Sequence, residues 1–196
     1  MSRMHVHLIG VAGTGMGALA GLLKAQGHRV TGSDLAFHPP MGPALRAWGI
    51  ELMEGWKPEN VASHPDLVVV GNVCRKDNPE ARAAIDGGLR HASFPQVMEE
   101  VFLAPEGGVA RPGFVVAGTH GKTTTTSMVA ALFLSAKLSP TLVIGGRFAP
   151  IKSTAFLGQG DWLVAEADES DGSFQKLSPE IAVITNIDAD HLDHYK

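Results

Sequence analysis

Cysteine is nearly missing: Cys74 is the only one in 196 residues. A single thiol excludes an internal disulfide framework and any multi-cysteine zinc site, and it suits a reducing compartment, so the cytoplasm is the expected location. Excess positive charge is missing too. Sixteen Lys and Arg stand against 20 Asp and Glu, a net charge of −4, whereas a duplex nucleic-acid binder needs a basic footprint. No nucleic-acid partner is expected, and any phosphate ligand has to be held by local geometry. No uninterrupted apolar run approaches the roughly 18 residues of a membrane span, and residues 1–10 have no signal-peptide core, so no membrane partner is expected. What the sequence does have is 44% hydrophobic residues, enough for one ordinary core or two small ones. Its 23 Gly and 12 Pro are dispersed between apolar runs as turn punctuation.

Strand and helix signals alternate from the start. Residues 6–9 form a short apolar run, followed by Gly10, Gly13, Gly15 and Gly17 and a helical stretch at 18–26. Residues 29–31 lead as a strand into Gly32, Ser33 and Asp34; helix is expected at 42–48 and strand at 50–53. The β-branched run 67–70 has the composition of a strand buried on both faces. Helix at 79–87, a short edge strand at 91–93 and helix at 95–102 complete the first half. Such alternation implies a mostly parallel sheet with helices on its faces. The Gly- and Pro-rich stretch 104–113 reads as a linker, giving a first domain at 1–110 and a second at 111–196. In the second, strands are expected at 114–117, 141–144, 162–166 and 181–185, with a helix from 122 to about 136. That domain is shorter than the commonest domain size, so a fragment of a longer protein is expected.

The strongest motif is Gly118-Thr119-His120-Gly121-Lys122-Thr123, directly after the strand at 114–117 and opening a Thr-rich helix with Thr124 in its first turn. Glycines let successive backbone N–H groups converge on an oxyanion, and the helix N-terminus adds positive potential. Lys122 then supplies a point charge for β- and γ-phosphates, and the Thr123 hydroxyl can ligate Mg²⁺. The motif departs from the usual phosphate loop in one respect: Val116 stands where its first glycine belongs. Taken alone, the string also fits a plain tight turn from strand to helix.

Glu166-Ala167-Asp168-Glu169-Ser170-Asp171 follows a strand. Four carboxylates in six residues repel one another unless a cation sits among them, and a hard divalent ion such as Mg²⁺ is the natural neutraliser. The segment from Thr185 to His194 follows another apolar run; in it Asn186, Asp190 and His191 are candidates to complete the metal shell or orient a reactant. Zinc is disfavoured, since no cysteine or third histidine lies at ligand spacing.

The N-terminal loop leaves two ligands open. Gly13-Thr14-Gly15-Met16-Gly17-Ala18 fits the dinucleotide fingerprint, and Asp34 lies 19 residues beyond Gly15 at the next strand end, where an acidic residue holds a ribose hydroxyl. A nicotinamide dinucleotide fits, and uridine diphosphate fits equally, because any diphosphate sits on a helix N-terminus lined with amides. Cys74 has no histidine motif nearby and reads as a packed thiol.

Together GTHGKTTTT, EADESDGSF and TNIDADHLDHY, in this order after the glycine-rich first domain, resemble the Mur ligase family of peptidoglycan synthesis over nearly the whole chain. The resemblance implies an α/β protein with a Rossmann-like first domain that binds a UDP-sugar and the first part of a P-loop-type central ATPase domain. The family's C-terminal domain has no counterpart here. HLIGVAGTGMGALA with TGSD is similar to the members that accept UDP-N-acetylmuramate. The resemblance implies an ATP-dependent amide-forming ligase, inactive as this fragment alone: ATP phosphorylates the lactyl carboxylate and an amine attacks the acyl phosphate. EADESD and ITNIDADHLDHY are similar to members that add L-alanine, whereas HPPM, GNVCRKDNPE, FPQ and VIGG are similar to members that add a recycled tripeptide. By the same resemblance Lys122, Glu166 and His191 are catalytic, and Thr123, Glu166 and His191 are metal ligands. Gly118, Thr119, His120, Gly121, Lys122, Thr123, Thr124 and Asn186 hold ATP, with His120 facing the muramoyl carboxylate. Gly13, Thr14, Gly15, Met16, Ser33 and Asp34 hold the UDP end. A nicotinamide-dependent oxidoreductase leaves the second loop and both acidic segments without a role; a nucleotide-binding switch module leaves GTGMGA and Asp34 without one.

Overall fold

Val6, Leu8 and Ile9 are wholly buried, as a strand flanked on both sides and covered on both faces must be. In the computed structural model, which describes residues 3–74, 77–104, 110–168 and 173–189, they lie on β1 (His5–Ile9), the central strand of a five-stranded sheet. The chain then runs through α1 (Thr14–Ala25), β2 (Arg29–Asp34), α2 (Met41–Ala47), β3 (Glu51–Glu54), a 3₁₀ turn at Pro58–Val61, β4 (Leu67–Val70), α3 (Pro79–Asp86) and β5 (His91–Ser93). Strand order is β3-β2-β1-β4-β5, every pairing parallel. From β1 the chain winds outward to β2 and β3, then returns to place β4 on the other side. The carboxyl end of β1 is therefore a topological switch point, where open α/β sheets bind ligands.

Local sequence accounts for the helix ends. On α1, Met16, Leu19, Ala20 and Leu23 recur at helical spacing and are buried. On α3, Asn78 caps the first turn, its side-chain oxygen accepting from the Glu80 N–H at 3.0 Å and the Ala81 N–H at 2.9 Å. Pro79 follows at the position where its missing donor costs nothing.

The first compact unit closes at Phe94 and the second runs from Pro95. The helix expected at 95–102 is a short α4 (Phe94–Val97) continued by a π-helical segment, Met98–Leu103. This helix belongs with the second unit: Arg111 N–H donates to Leu103 O at 2.7 Å, and the Leu103 side chain lies over Gly113. Composition located the turn-rich stretch 104–113 but not this packing, and residues 105–109 fall outside the described residues.

The second unit is built on β6 (Gly113–Ala117), α5 (Lys122–Ser135), β7 (Thr141–Phe148), β8 (Ser153–Phe156), β9 (Leu163–Glu166) and β10 (Ile181–Ile184), with a 3₁₀ turn at Ser173–Lys176. The order is β10-β6-β9-β7-β8. All pairs are parallel except β7 with β8, an antiparallel hairpin that the sequence reading passed over. Ala130 of α5 packs on Leu142, Ile144, Phe148 and Val164. Phe133 meets Phe114 and Trp162 edge-on, with centroids at 6.0 and 5.4 Å.

Candidate functional site

In the second unit, β6 delivers the chain to a tight loop between Ala117 and Lys122. Gly118 sits at φ +124° and Gly121 at φ +80°, a backbone region that side chains rarely enter. A Cβ at Gly118 would also run into the Thr185 hydroxyl and the Asn186 backbone. The loop is pinned by the segment after β10. Asn186 clamps His120 through both its amide atoms: its Oδ1 accepts the His120 N–H at 3.1 Å, and its Nδ2 donates to His120 O at 2.8 Å. Thr185 donates its hydroxyl to His120 O at 2.6 Å, and Asp188 N–H donates to the Thr119 hydroxyl at 3.1 Å.

The Lys122 ammonium folds onto the loop it follows, 2.7 Å from Gly118 O and 3.2 Å from Thr119 O. Its charge is thereby centred on the loop that the first turn of α5 completes. Thr123, next along, donates to Glu166 Oε1 at 3.1 Å, and the other carboxylate oxygen of Glu166 accepts the Gly145 N–H at 2.9 Å. A Cβ at Gly145 would meet the carboxylate itself and push Glu166 out of this position. A hydroxyl and a carboxylate oxygen thus meet beside the glycine loop. That is the oxygen donor set of a hard cation, and Mg²⁺ ordinarily takes one or two such ligands and completes its shell with phosphate oxygens and water. Among the described residues no group of three His, Cys, Asp or Glu gathers into a metal site, and the Thr123–Glu166 pair needs none if phosphates supply the rest.

Of the residues singled out in the sequence, Thr123 and Glu166 are in contact, Lys122 lies on the glycine loop beside them in sequence, and Asn186 bonds the loop backbone at His120. Thr124 is exposed on the first turn of α5, and Asp168 is exposed beyond β9. Glu169, Ser170, Asp171, Asp190, His191 and His194 lie outside the described residues. Sequence reasoning missed Gly145 and the Thr185 and Asp188 contacts, although glycine pairs inside a strand signal close approach.

In the first unit, Gly10 turns the chain at φ +83° out of β1. Gly10 and Val11 donate to Ser33 O at 2.8 and 3.1 Å, and Ala12 N–H donates to Asp34 Oδ2 at 2.8 Å. α1 then begins with Gly13 at its N-cap and no side chain capping it, which leaves its first-turn amides without a side-chain partner. Gly13 and Thr14 are exposed there, and Gly15 is half-buried. Met16 and Ser33 turn out differently from direct ligand contacts. Met16 is a buried core side chain, and the wholly buried Ser33 donates its hydroxyl to Glu80 at 2.7 Å. β2 is buried on both faces from Val30 to Ser33, and Asp34 reaches the rim because it is the last residue of the strand. Asp34 also accepts the Leu35 N–H at 2.8 Å through its other oxygen, so the carboxylate that holds Ala12 is itself fixed at the end of β2. Cys74 stands beside Gly10, and burial with the nearby Asp34 charge raises its thiol to about 11.

Residues 5–104 match the model of the Mur ligase family catalytic domain, and residues 116–196 that of the Mur ligase middle domain. The chain is 52% identical over 190 residues to a UDP-N-acetylmuramate–L-alanine ligase of Bdellovibrio bacteriovorus, covering 97% of this chain and 40% of that protein. It is 47% identical to the protein of the same name from Allorhizobium ampelinum, covering 97% and 39%. Thus the chain spans about 40% of the length of the curated relatives it matches. Among solved structures, UDP-N-acetylmuramate:L-alanyl-γ-D-glutamyl-meso-diaminopimelate ligase from Neisseria meningitides has a TM-score of 0.90 at 33% identity, covering 100% of this chain and 64% of that one. UDP-N-acetylmuramate-alanine ligase from Thermotoga maritima has a TM-score of 0.85 at 32% identity, covering 98% and 44%.

Proposed function

The chain belongs to the Mur ligase family, and from that premise we propose that it forms the UDP-sugar-binding and ATP-binding part of a ligase that joins L-alanine to the lactyl carboxylate of UDP-N-acetylmuramate. The observation that carries the reading is the meeting of Lys122, Thr123 and Glu166 at one glycine loop. It gives the second unit a phosphate site of its own, besides the uncapped helix terminus of the first. A dinucleotide enzyme has no use for that second site, whereas a reaction between a UDP-sugar and ATP requires both.

Phosphoryl transfer is mostly positioning and charge stabilisation. In this reading the amides of Gly118–Thr123 receive the β- and γ-phosphates, and Lys122 offsets the charge that develops on the moving phosphoryl group. His120, exposed beside them and fixed through its backbone by Asn186, faces the muramoyl carboxylate. Thr123 and Glu166 hold Mg²⁺, which when bound polarises the phosphate oxygens; His191 is proposed as a further ligand or as orienting the acyl phosphate. The γ-phosphoryl group passes to the lactyl carboxylate, ADP leaves, and attack by the amine forms the amide and releases phosphate. Gly13, Thr14, Gly15 and the Met16 backbone take the diphosphate of the UDP-sugar, with Asp34 at the ribose. Both substrates are nucleotides of the cytoplasm, where we place the reaction.

The second reading, addition of a recycled tripeptide, is favoured by the overlap with the Neisseria structure over the whole chain. The higher identity to alanine-adding relatives favours the first. In the test, Glu166→Ala is titrated with ATP in Mg²⁺ and in EDTA. Wild type is expected to bind at least about tenfold tighter with Mg²⁺, and the variant equally in both, because a methyl group offers nothing to a hard cation. A variant with the wild-type Mg²⁺ dependence would return Glu166 to a structural role.

A further inference from the structure

Among the described residues Glu80 is the only wholly buried carboxylate, at 0% exposure. An ionised group there is costly unless it is fully hydrogen-bonded, and an apolar side chain fills such a space more cheaply. Glu80 is fully bonded: Oε1 accepts from the Ser33 hydroxyl at 2.7 Å and faces His7 Nε2 at 2.6 Å. Its Oε2 accepts from the Lys57 N–H at 3.1 Å and the Asn60 side-chain amide at 2.8 Å.

We propose that Glu80 is a positioning residue for the diphosphate-binding loop at residues 10–13, an inference that rests on the UDP-sugar reading of that loop. Two routes run from its carboxylate to the turn that shapes the loop. In one, Oε1 holds Ser33, whose carbonyl takes the Gly10 and Val11 amides. In the other, Oε2 holds Asn60, which also donates to Gly55 O at 2.9 Å, and Gly55 N–H donates to Asp34 O at 2.8 Å. The Asp34 carboxylate takes the Ala12 amide. Both routes end on Ser33–Asp34, the template on which the three loop amides are laid. Glu80 itself is fixed by the Asn78 cap at the start of α3 and by His7, whose other ring nitrogen lies 2.7 Å from the Thr31 hydroxyl. Loop geometry on β1 is thereby set from a helix on the far side of β4 in sequence. An acidic residue suits the place because three of the four groups around it, the Ser33 hydroxyl, the Lys57 amide and the Asn60 amide, donate to it.

The test uses this chain with Ser33→Ala, which cuts the first route and leaves Glu80 its other partners, and with Glu80→Gln, which keeps the shape but turns one acceptor into a donor. Amide hydrogen exchange at Gly10, Val11 and Ala12 is read against the core amides of Leu8 and Val69, and each protein is titrated with UDP-N-acetylmuramate. Exchange at the loop amides is expected to rise about tenfold in both variants, with Leu8 and Val69 unchanged and the Kd for the UDP-sugar weakened by a similar factor. Loop amides that stay at wild-type rates in folded variants would overturn the proposal, and so would a rise shared equally by Leu8 and Val69, which marks a merely structural part. Should Glu80→Gln not fold, the exchange pattern of Ser33→Ala decides alone. A wild-type chain that ignores UDP-N-acetylmuramate breaks the reading of the loop, while the exchange arm still decides for or against Glu80.

Discussion

Lys122, Thr123 and Glu166 were legible in the sequence because each type has one prominent chemistry at a strand end: a point charge, a hydroxyl and a hard anion. What the sequence could not show is how side chains are shared. Ser33 and Asp34 are adjacent, yet Ser33 bonds in the core and Asp34 bonds the loop, because β2 is covered on both faces up to Ser33 and ends at Asp34, a boundary that composition does not fix. Glu80 went unremarked because a glutamate early in a helix ordinarily reads as a favourable surface charge near the N-terminus. Cys74 illustrates the bland reading prevailing. With its thiol held up at about 11 by burial and by Asp34, against an ordinary 9.0, it carries about a hundredfold less thiolate at neutral pH than a free cysteine. Alkylation by iodoacetamide is expected to be slower by a similar factor and to keep rising with pH past 9. A rate that levels off below pH 8 would show a thiolate stabilised by the site.

At the level of elements, most strands fell where the apolar runs lay, whereas α1 starts at Thr14, four residues before the stretch expected at 18–26, because its first turn lies within the glycine cluster. The hairpin of β7 and β8 escaped because its first strand runs through Gly145, Gly146 and Arg147, which break the apolar run at the point where the strand leaves the core. β10 reads as a buried run but forms the sheet edge, with Ile184 63% exposed; composition alone does not separate an edge from a centre. One connection carries a pH dependence. His28, buried between α1 and β2, accepts the Met4 N–H on Nδ1 at 3.2 Å, and burial lowers its pKa below 6.5; burial also lowers that of His5 on β1. For a group whose folded pKa lies below its unfolded value, the unfolded chain binds more protons, so stability rises with pH. The stabilisation is in place above 6.5 and is lost as pH falls through the lower folded values. The thermal midpoint is therefore expected to drop as pH is lowered from 7 to 5, with a shallower slope in His28→Asn, whose side-chain oxygen keeps the Met4 bond without titrating. Equal slopes in the two proteins would remove His28 from the account.

For the molecule as a whole, the two compact units each carry one glycine loop at the carboxyl end of an interior strand, and the proposed function needs each loop to hold a different nucleotide. The dinucleotide fingerprint was the ambiguous part of the sequence, since amides on a helix terminus do not distinguish one diphosphate from another. Besides the family match, the second loop, with its Lys122 charge and the Thr123–Glu166 pair, is the feature for which a nicotinamide enzyme has no use. The most direct measurement is calorimetric titration of this chain with UDP-N-acetylmuramate, MgATP and NAD in separate experiments, on the wild type and on Lys122→Ala. The account predicts one site for the UDP-sugar, one for MgATP and none for NAD, with Lys122→Ala weakening MgATP by at least about tenfold and leaving the UDP-sugar affinity unchanged. Binding of NAD without binding of UDP-N-acetylmuramate, or a Lys122→Ala variant that holds MgATP as tightly as the wild type, would contradict it.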